Sequence, residues 1–547
     1  MSTKTYSSFS TKATPQSESI PGKNMTQNNA GGFSFSLDKW GQFNRFLILG
    51  SEGGTYYVSE KKLTKDNALN VIACIAEDGE RAVKEIVRVS DEGLAPKNDP
   101  AIFALALAAS AERVETRQLA LAALPKVCRI PTHLYHFNEY CKGLRGWGSS
   151  LKKANQRWFN DQDVDKLAYQ LVKYQQRDGW SARDVLRKAH PKTNDAARNS
   201  LYSWVVDGLL PFNADEFEKQ DSLPKIVAAF ESAKTASKGH LYDLVRQYNL
   251  SREMLPTEAL NDALVWEALL EKMPYTAMLR NLGVMSKVGL LKPLSKASSL
   301  VAERLVDEQQ IKKARIHPIQ ILLALRTYAS GHGLKGSNTW TVVPKVVDAL
   351  DEAFYLAFKF VEPTGKNFLI GVDVSGSMGS PCAGTPLSCA EGAAAMALSI
   401  AKIEPNVYIH GFTAGGYGYA HDQEKALKGF VDLGITPAMR LDAALKRTRG
   451  LNFGATDCSI PMLYAIKEKL DVDCFITITD NETWAGKNHP TQALKQYRQK
   501  SGINARNIVI GMTATEFTVN DPSDQFGLDV CGFSAEVPTL IQGFMRD

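Results

Sequence analysis

The sequence predicts a multidomain protein, with an all-α, HEAT-like helical-repeat region followed by an α/β domain built on a doubly wound parallel sheet. Three observations lead to this fold class. The chain has 547 residues, which is too long for one hydrophobic core. From Phe33 to about Phe360, nearly every segment has the apolar spacing of an amphipathic helix. After about Pro363, short apolar runs alternate with helical stretches, which is typical of parallel strands joined by helices.

The helical part contains recognisable helix starts. Asp99 and Pro100 open a long apolar run, and Ser181 with Asp184 forms a capping box for a helix that continues to His190. Helix pairs that stack without strands favour a solenoid or a closed ring, and the loose repeat does not distinguish the two. Two further helices are predicted over 163–176 and 196–207.

The α/β part is predicted from β-rich runs and from the helical stretches that separate them. The strands are predicted over 367–374, 407–412, 474–479 and 507–513. The helices are predicted over 390–402, 438–449 and 460–470. We therefore divide the ordered chain into a helical domain, 32–363, and a sheet domain, 364–547.

Residues 1–31 are predicted to form a disordered tail. They are rich in Ser, Thr, Gln, Asn and Lys, and Glu18 is their one acidic residue. Such a segment has too few apolar groups to offset the entropy lost on ordering.

Composition excludes several classes of protein. Hydrophobic residues make up 44% and charged residues 22%, which is typical of globular proteins. We see no signal peptide and no run of roughly 20 apolar residues, so no membrane partner is expected. The eight cysteines form no C-x-x-C pair, which argues against zinc and redox sites. We expect a cytoplasmic monomer.

Positive charge is concentrated in one part of the chain. The net charge is only +5, but between Cys141 and Ser200 there are 13 Lys and Arg against six Asp, a local excess of +7. The other residues therefore carry a net −2. Local positive charge favours a phosphate-binding surface.

The candidate nucleic-acid contacts follow from helical spacing within this basic part. Three cations are predicted on one face of a short helix beside Trp158 and Phe159, two lie four apart on the next helix, and three share a face of the third. Together they would form a stripe that binds phosphates, with His190 or an Arg reading an unpaired base. The alternative is a solvated charged face. The candidates are Lys152, Lys153, Arg157, Lys173, Arg177, Arg183, Arg187 and His190.

A second constellation carries oxygen ligands for a metal. One predicted strand runs into Asp373-Val374-Ser375-Gly376-Ser377, and two later loops offer matching oxygens after other strands. An all-oxygen set with few charges suits Mg²⁺ or another hard cation. The alternative is a Ser/Gly-rich turn that holds no metal. The candidate ligands are Asp373, Ser375, Ser377, Thr456 and Asp480.

The chain resembles the Ro autoantigen family, whose members carry a TROVE domain, over essentially all of its predicted ordered part. The five oxygen ligands resemble the metal-ion-dependent adhesion site of von Willebrand A domains. The motifs that resemble the TROVE domain are Arg45-Phe46-Leu47, 50–57, 127–134, 177–190, 273–283 and His317-Pro318.

The resemblance implies a bacterial member of the family that acts as a non-enzymatic RNA-binding scaffold. It implies a ring of helices that binds Y RNA on its basic outer surface and single-stranded 3′ ends of misfolded RNA through its central hole. It also implies a role in RNA quality control or maturation beside 3′ exoribonucleases. At the metal site, it implies a place for a carboxylate of a partner protein.

Two other functions compete with this interpretation. One is a metal-dependent protein-adhesion module for which the helices serve as a spacer. The other is a metal-dependent nuclease, which the lack of a paired-metal arrangement disfavours. A weaker metal candidate is the set His133, His136 and Glu139, which falls at helical spacing, although buried or capping histidines are the favoured interpretation.

Overall fold

The computed structural model describes most of the chain in two compact units. The sheet unit contains Met1–Ser59, Leu305–Gly336 and Val347–Asp547, and the helical unit contains Glu60–Arg304 and Ser337–Val346. These units follow packing rather than chain order, and the division into domains 32–363 and 364–547 stays a prediction. The described residues are 13–23, 25–27, 31–36, 39–49, 68–92, 95, 97–208, 223–334, 337–382, 385–412, 423–448, 451, 457–479, 486–512, 517–521, 524, 526–531 and 537–546.

Helices dominate the described chain before residue 360. Among them, no helix is long and apolar enough to span a membrane. The α-helices up to there are α1 Lys39–Leu49, α2 Leu69–Glu77, α3 Gly79–Asp91, α4 Asp99–Ala109, α5 Val114–Val127, α6 Pro131–Leu144, α7 Ser149–Asn160, α8 Val164–Lys173, α9 Ala182–Ala189, α10 Ala196–Asp207, α11 Lys225–Thr235, α12 Lys238–Tyr248, α13 Ala263–Lys272, α14 Tyr275–Lys287, α15 Lys296–Leu305, α16 Glu308–Ala314, α17 Pro318–Ala329 and α18 Pro344–Leu356. Short 3₁₀ turns lie at Arg252–Met254, Thr257–Asn261 and Ala357–Phe360.

Helix starts agree with the sequence where a capping side chain is present. The Asp195 carboxylate accepts hydrogen bonds from the backbone of Ala197 and Arg198, and α10 begins at the predicted residue. Ser181 and Asp184 form the expected reciprocal capping box at the start of α9. A capping side chain fixes where a helix starts, and other signals decide where it ends.

The sheet unit contains the remaining elements, and the predicted alternation of strands and helices is confirmed. The strands of its large sheet are β5 Asn367–Asp373, β6 Asn406–Phe412, β7 Phe430–Asp432, β8 Cys474–Thr479, β9 Arg506–Gly511 and β11 Gly527–Cys531. A separate small sheet contains β1 Met25–Gln27, β2 Phe33–Ser36 and β10 Phe517–Thr518. The remaining two strands, β3 Gln176–Arg177 and β4 Trp180–Ser181, form a hairpin in the helical unit. Its later helices are α19 Cys389–Ile403, α20 Gln423–Lys428, α21 Leu441–Thr448, α22 Ile460–Glu468, α23 Pro490–Ser501 and α24 Val537–Arg546, and a 3₁₀ turn lies at Gly376–Gly379.

The six-stranded sheet has the order β11-β9-β8-β5-β6-β7. All neighbours pair in parallel except β7, which runs antiparallel to β6. The chain passes from β5 to β6 on one side and later to β8 on the other, so the strand order reverses at β5. In open α/β sheets such a reversal leaves a ligand-binding crevice beyond the carboxyl ends of the strands.

The buried sheet core depends on close packing around β5. Leu369 of β5 packs in one cluster with Phe412, Phe475 and Tyr497. A Cβ atom at Gly371 would lie 2.5 Å from the Phe412 ring, so a glycine is required there for this packing.

The prediction of disorder is wrong for the described part of residues 1–31. Residues 13–23 lie against the sheet unit, and β1 pairs with β2, which pairs with β10. The backbone N–H of Phe33 donates to Gln16 O (2.7 Å), and Lys23 forms an ion pair with Asp521 (2.7 Å). Composition missed this order because the segment is held by another part of the chain rather than by a core of its own. Residues 1–12 lie outside the described residues.

A pH dependence of stability follows from His317, the N-cap of α17. Its Nδ1 accepts a hydrogen bond from the Ile319 N–H (3.2 Å), and burial lowers the pKa of His317 to about 4. An unfolded histidine titrates near pH 6.5, so the unfolded chain takes up a proton where the folded chain resists one. This stabilisation should be complete above about pH 6.5 and lost as the pH falls through 4, on the order of 3 kcal/mol.

The matched variant is His317→Asn, which keeps a capping acceptor but does not titrate in this range. Urea unfolding at pH 7 and pH 4 should show a smaller loss of unfolding free energy in this variant than in the wild type. Equal losses in the two proteins would contradict the assignment.

Candidate nucleic-acid interface and metal centre

The predicted basic contacts lie on four elements of the helical unit, which are α7, α8, β3 and α9 with its C-cap. Lys152, Lys153 and Arg157 lie on α7, and Arg183 and Arg187 lie on α9. Lys152 and Lys173 are half-buried, and the other six candidates are exposed.

The ends of α7 and α9 are joined by side-chain hydrogen bonds. Gln156 Nε2 donates to Ala189 O (2.7 Å) and to His190 O (3.3 Å). His190 ends α9 in a left-handed conformation, with φ of 49°. The expectation that His190 shares a helix face with Arg183 and Arg187 is therefore wrong. His190 lies instead in the turn that leaves the helix, where its carbonyl accepts a hydrogen bond from Gln156 of α7.

Arg177 lies on a β-hairpin rather than on the predicted helix 163–176. The helix α8 ends at Lys173, and the strands β3 and β4 pair across Asp178 and Gly179, whose φ angles are 53° and 75°. A two-residue Asp-Gly loop with both φ angles positive is the preferred hairpin connection. The helical pairing of Lys173 with Arg177 is thus wrong, because this turn signal ends the helical pattern.

A buried histidine holds Arg177 in place. His136 is 4% exposed, and Arg177 Nε donates to His136 Nε2 (3.2 Å). Because Nε2 accepts this bond, the ring hydrogen lies on Nδ1, which contacts the Asp178 carboxylate in the hairpin turn. The Arg177 side chain stays 44% exposed. His136 therefore fixes one end of a guanidinium whose side chain reaches solvent.

The second metal candidate, the set His133, His136 and Glu139, does not converge. Glu139 Oε2 accepts a hydrogen bond from Trp180 Nε1 (2.6 Å), and His133 Nδ1 lies 3.4 Å from Asn98 Nδ2. Burial, and then the charge of Arg129, lowers the pKa of His133 to about 4. No three His, Cys, Asp or Glu groups within the described residues form a metal-binding cluster.

Aromatic rings also lie beside the cations, though different ones from those predicted. Trp158 and Phe159 are buried in the core, and Trp158 Nε1 donates to Cys128 O (2.6 Å). Trp147 and Trp180 stack instead, with ring centroids 5.7 Å apart. Lys188 Nζ lies 5.8 Å from the Trp147 ring centroid. The sequence signal was available, because Trp147 lies between two glycines in the basic part.

One cation of the local excess has a structural role. Arg198 is buried and donates to Phe159 O (2.7 Å) and Gln162 O (2.6 Å). These bonds satisfy carbonyls at the end of α7 and in the following turn. The charge count therefore overstates the part of the +7 that faces solvent.

The metal candidate begins at the carboxyl end of β5. Asp373 is 2% exposed, and its Oδ1 accepts a hydrogen bond from the Ser375 N–H (2.8 Å). Its Oδ2 accepts one from Thr479 Oγ1 (3.0 Å), at the end of β8. Thr479, which directly precedes Asp480, therefore orients the Asp373 carboxylate, and sequence analysis missed this contact.

The remaining predicted ligands are only partly described. Ser377 lies in the 3₁₀ turn Gly376–Gly379, and its side chain lies outside the described residues, as do Thr456 and Asp480. The described donors are a carboxylate and a hydroxyl-bearing residue at the point where the strand order reverses. Oxygen donors at this place fit a hard cation such as Mg²⁺.

Comparisons with known proteins agree with both parts of the fold. The TROVE domain model matches residues 26–236 and 246–327, and the Ro60 vWA domain model matches residues 367–545. The chain is 41% identical to the RNA-binding protein RO60 of Deinococcus radiodurans over 97% of each chain. It is 35% identical to the RNA-binding protein RO60 of Caenorhabditis elegans, over 95% of this chain and 90% of that one.

A solved structure gives the same result. The crystal structure of the Deinococcus radiodurans RO (RSR) protein matches with a TM-score of 0.78 and 41% identity, covering 93% of this chain and 99% of that chain. Two family models, two relatives and one structure thus agree along the chain. The chain belongs to the Ro60 family of TROVE-domain proteins.

Proposed function

We propose that this protein binds RNA through the exposed cations of α7, α9 and the β3–β4 hairpin. The observation that carries the proposal is the bond from Arg177 to buried His136, which fixes a guanidinium side chain on a tight turn. Fixed guanidinium groups suit phosphates because they present several N–H donors in a rigid plane. The relatives named RNA-binding protein RO60 support the same class of ligand.

The RNA is proposed to be Y RNA on this outer basic surface, and single-stranded 3′ ends of misfolded RNA at a central hole. The first mode needs phosphate contacts with little sequence preference, which lysine and arginine on neighbouring elements supply. An unpaired base would be read beside them by His190 or stacked near Trp147. The protein would thereby act as a non-enzymatic scaffold in RNA quality control or maturation, beside 3′ exoribonucleases.

The sheet unit is proposed to bind one divalent cation, Mg²⁺ in the first instance, through Asp373, Ser375, Ser377, Thr456 and Asp480. The bound cation would supply an open coordination position for a carboxylate of a partner protein. Asp373 and Ser375 would hold the cation on the β5 side, and Thr479 would orient Asp373. The alternative of an adhesion module with spacer helices gives no role to the fixed, exposed Arg177.

Removing three of the proposed phosphate contacts tests the RNA surface. Lys173, Arg177 and Arg187 changed together to alanine should weaken Y RNA binding and lower the salt slope by up to about three units. Affinity should be measured by filter binding across a series of salt concentrations. Far-ultraviolet circular dichroism would establish that the triple variant is folded.

The matched control is Arg81, Lys84 and Arg88 on α3 of the same helical unit. Lys84 and Arg88 pair with Glu80 and Glu85, so they contribute little net positive field. Alanine at these three positions should leave affinity nearly unchanged. If the folded triple variant of Lys173, Arg177 and Arg187 binds RNA as well as this control, the proposed surface is wrong.

The metal site is tested by Asp373→Ala. This change should abolish saturable Mg²⁺ binding in isothermal titration calorimetry, because it removes the one described carboxylate of the proposed ligand set. RNA affinity should stay within about twofold, since the cations and Asp373 belong to different compact units. Asp432→Ala, on β7, is the control carboxylate. A large loss of RNA binding in folded Asp373→Ala would refute the independence of the two sites.

The scaffold interpretation predicts that RNA stays intact. Purified protein with Mg²⁺ should leave RNA uncleaved over hours on denaturing gels, because one cation lacks the second metal usual in nucleases. Any trace of cleavage should persist unchanged in Asp373→Ala and Asp480→Ala. Cleavage that needs Mg²⁺ and disappears in both variants would make this protein an enzyme.

A further inference from the structure

The N-terminal segment, residues 13–23, contains one side chain that is fully enclosed by the sheet unit. Gln16 has 0% exposure. Its Nε2 donates two hydrogen bonds, to Asp457 Oδ1 (2.6 Å) and to Asn488 O (2.8 Å). Its backbone N–H donates to Gly486 O (3.1 Å). A buried amide with both side-chain hydrogens placed on fixed acceptors is a specific contact.

The partners of Gln16 come from two different loops. Asp457 directly follows Thr456, a proposed metal ligand. Gly486 and Asn488 follow Asp480, another proposed ligand, by six and eight residues. Gln16 therefore connects the described ends of the two loops that contain the proposed ligands Thr456 and Asp480.

The two loop ends approach each other closely at this point. A Cβ atom at Gly486 would lie 2.2 Å from Asp457 Oδ2, and the φ angle of Gly486 is 114°. Asp457 is also held from its own side, because its Oδ1 accepts hydrogen bonds from the N–H and Oγ of Ser459 (2.9 and 2.6 Å). Little freedom remains for either loop end while Gln16 is in place.

Contacts on both sides of Gln16 hold the segment. Thr14 N donates to Gln492 Oε1 (2.9 Å), and Gln492 Nε2 donates to Thr14 Oγ1 (3.2 Å). The buried ring of His489 lies with its Nε2 2.7 Å from Glu18 O. The segment is therefore docked through several side chains of the helix α23 and the loop before it.

We propose that Gln16 is a positioning residue of the metal centre and that the N-terminal segment is an integral part of that centre. The inference rests on the proposed cation binding. Gln16 fixes the described ends of the two loops, at Asp457 and at Gly486 and Asn488, relative to each other. Because the proposed ligands Thr456 and Asp480 belong to these loops, fixing the loop ends lowers the ordering cost of cation binding. Because cation and segment order the same two loops, each favours the binding of the other.

The test measures cation affinity in the full chain, with Mn²⁺ followed by electron paramagnetic resonance of the free ion. Gln16→Met keeps the length and volume of the side chain but donates no hydrogen bond. We expect it to weaken Mn²⁺ binding about tenfold, the effect of losing one charge-assisted bond. Gln27→Met makes the same change at an exposed glutamine of β1, outside residues 13–23, and should leave Mn²⁺ affinity unchanged.

A second measurement needs no variant at position 16. Hydrogen exchange of the wild type, followed by peptide mass spectrometry, should slow within residues 13–23 when Mn²⁺ is added. In Asp373→Ala the same addition should have no effect. This protection reports the coupling directly and would not arise from a purely structural segment.

The outcomes separate the inference from the proposed function. Suppose that the wild type binds Mn²⁺ and Asp373→Ala does not. If Gln16→Met then binds Mn²⁺ as tightly as the wild type, and Mn²⁺ does not protect residues 13–23 of the wild type, the inference is wrong but the proposed metal centre is supported. If the wild type and Asp373→Ala show the same binding, or none, both are wrong.

Discussion

The parallel pairing of β5 along both of its edges is the constraint on which the proposed metal centre depends. β5 bonds to β6 on one side and to β8 on the other, so the carboxyl ends of three strands lie at one edge of the sheet. This pairing brings Thr479 against Asp373 across 106 residues of sequence (3.0 Å). The aspartate is thereby oriented by a neighbouring strand as well as by the Ser375 N–H of its own loop.

The helical unit uses a comparable arrangement with different chemistry. A buried ring, His136, joins the hairpin turn at Asp178 to the guanidinium of Arg177. Arg198, by contrast, has its donors on carbonyls at the end of α7. The cations between Cys141 and Ser200 therefore fall into two groups. Some stabilise the fold of the helical unit and others are exposed to solvent, and a count of charges does not distinguish them.

Sequence patterns predicted the features that depend on local chemistry. The strand 474–479, the helix 196–207 and the capping box of Ser181 and Asp184 all have their signals within a few residues, and the structure contains them. The hairpin at Asp178 and Gly179 also has a local signal, but the helical spacing of Lys173 and Arg177 indicates a helix instead. Arg177 was therefore predicted on a helix rather than on β3, and its contact with His136 was not predicted.

Contacts between distant residues could not be predicted from one sequence. Gln16 meets Asp457 across 441 residues, and nothing near Gln16 in sequence distinguishes it from other glutamines in a polar stretch. The low apolar content of residues 1–31 is a valid reason to expect disorder only when a segment must stabilise itself. Residues 13–23 are instead held by contacts with residues far away in the sequence, which composition does not reveal.

The pairing of β2 with β10 has a consequence for biosynthesis. Phe35 and Ser36 are synthesised almost 500 residues before their partners Thr518 and Phe517. At about 5–20 residues per second, the interval is on the order of tens of seconds. During that time, the edge of β2 that pairs with β10 is unpaired, and an unpaired edge can bind other nascent chains. The sheet of β1, β2 and β10 can therefore be completed only after β10 has emerged from the ribosome, and until then β2 is accessible to proteases and chaperones.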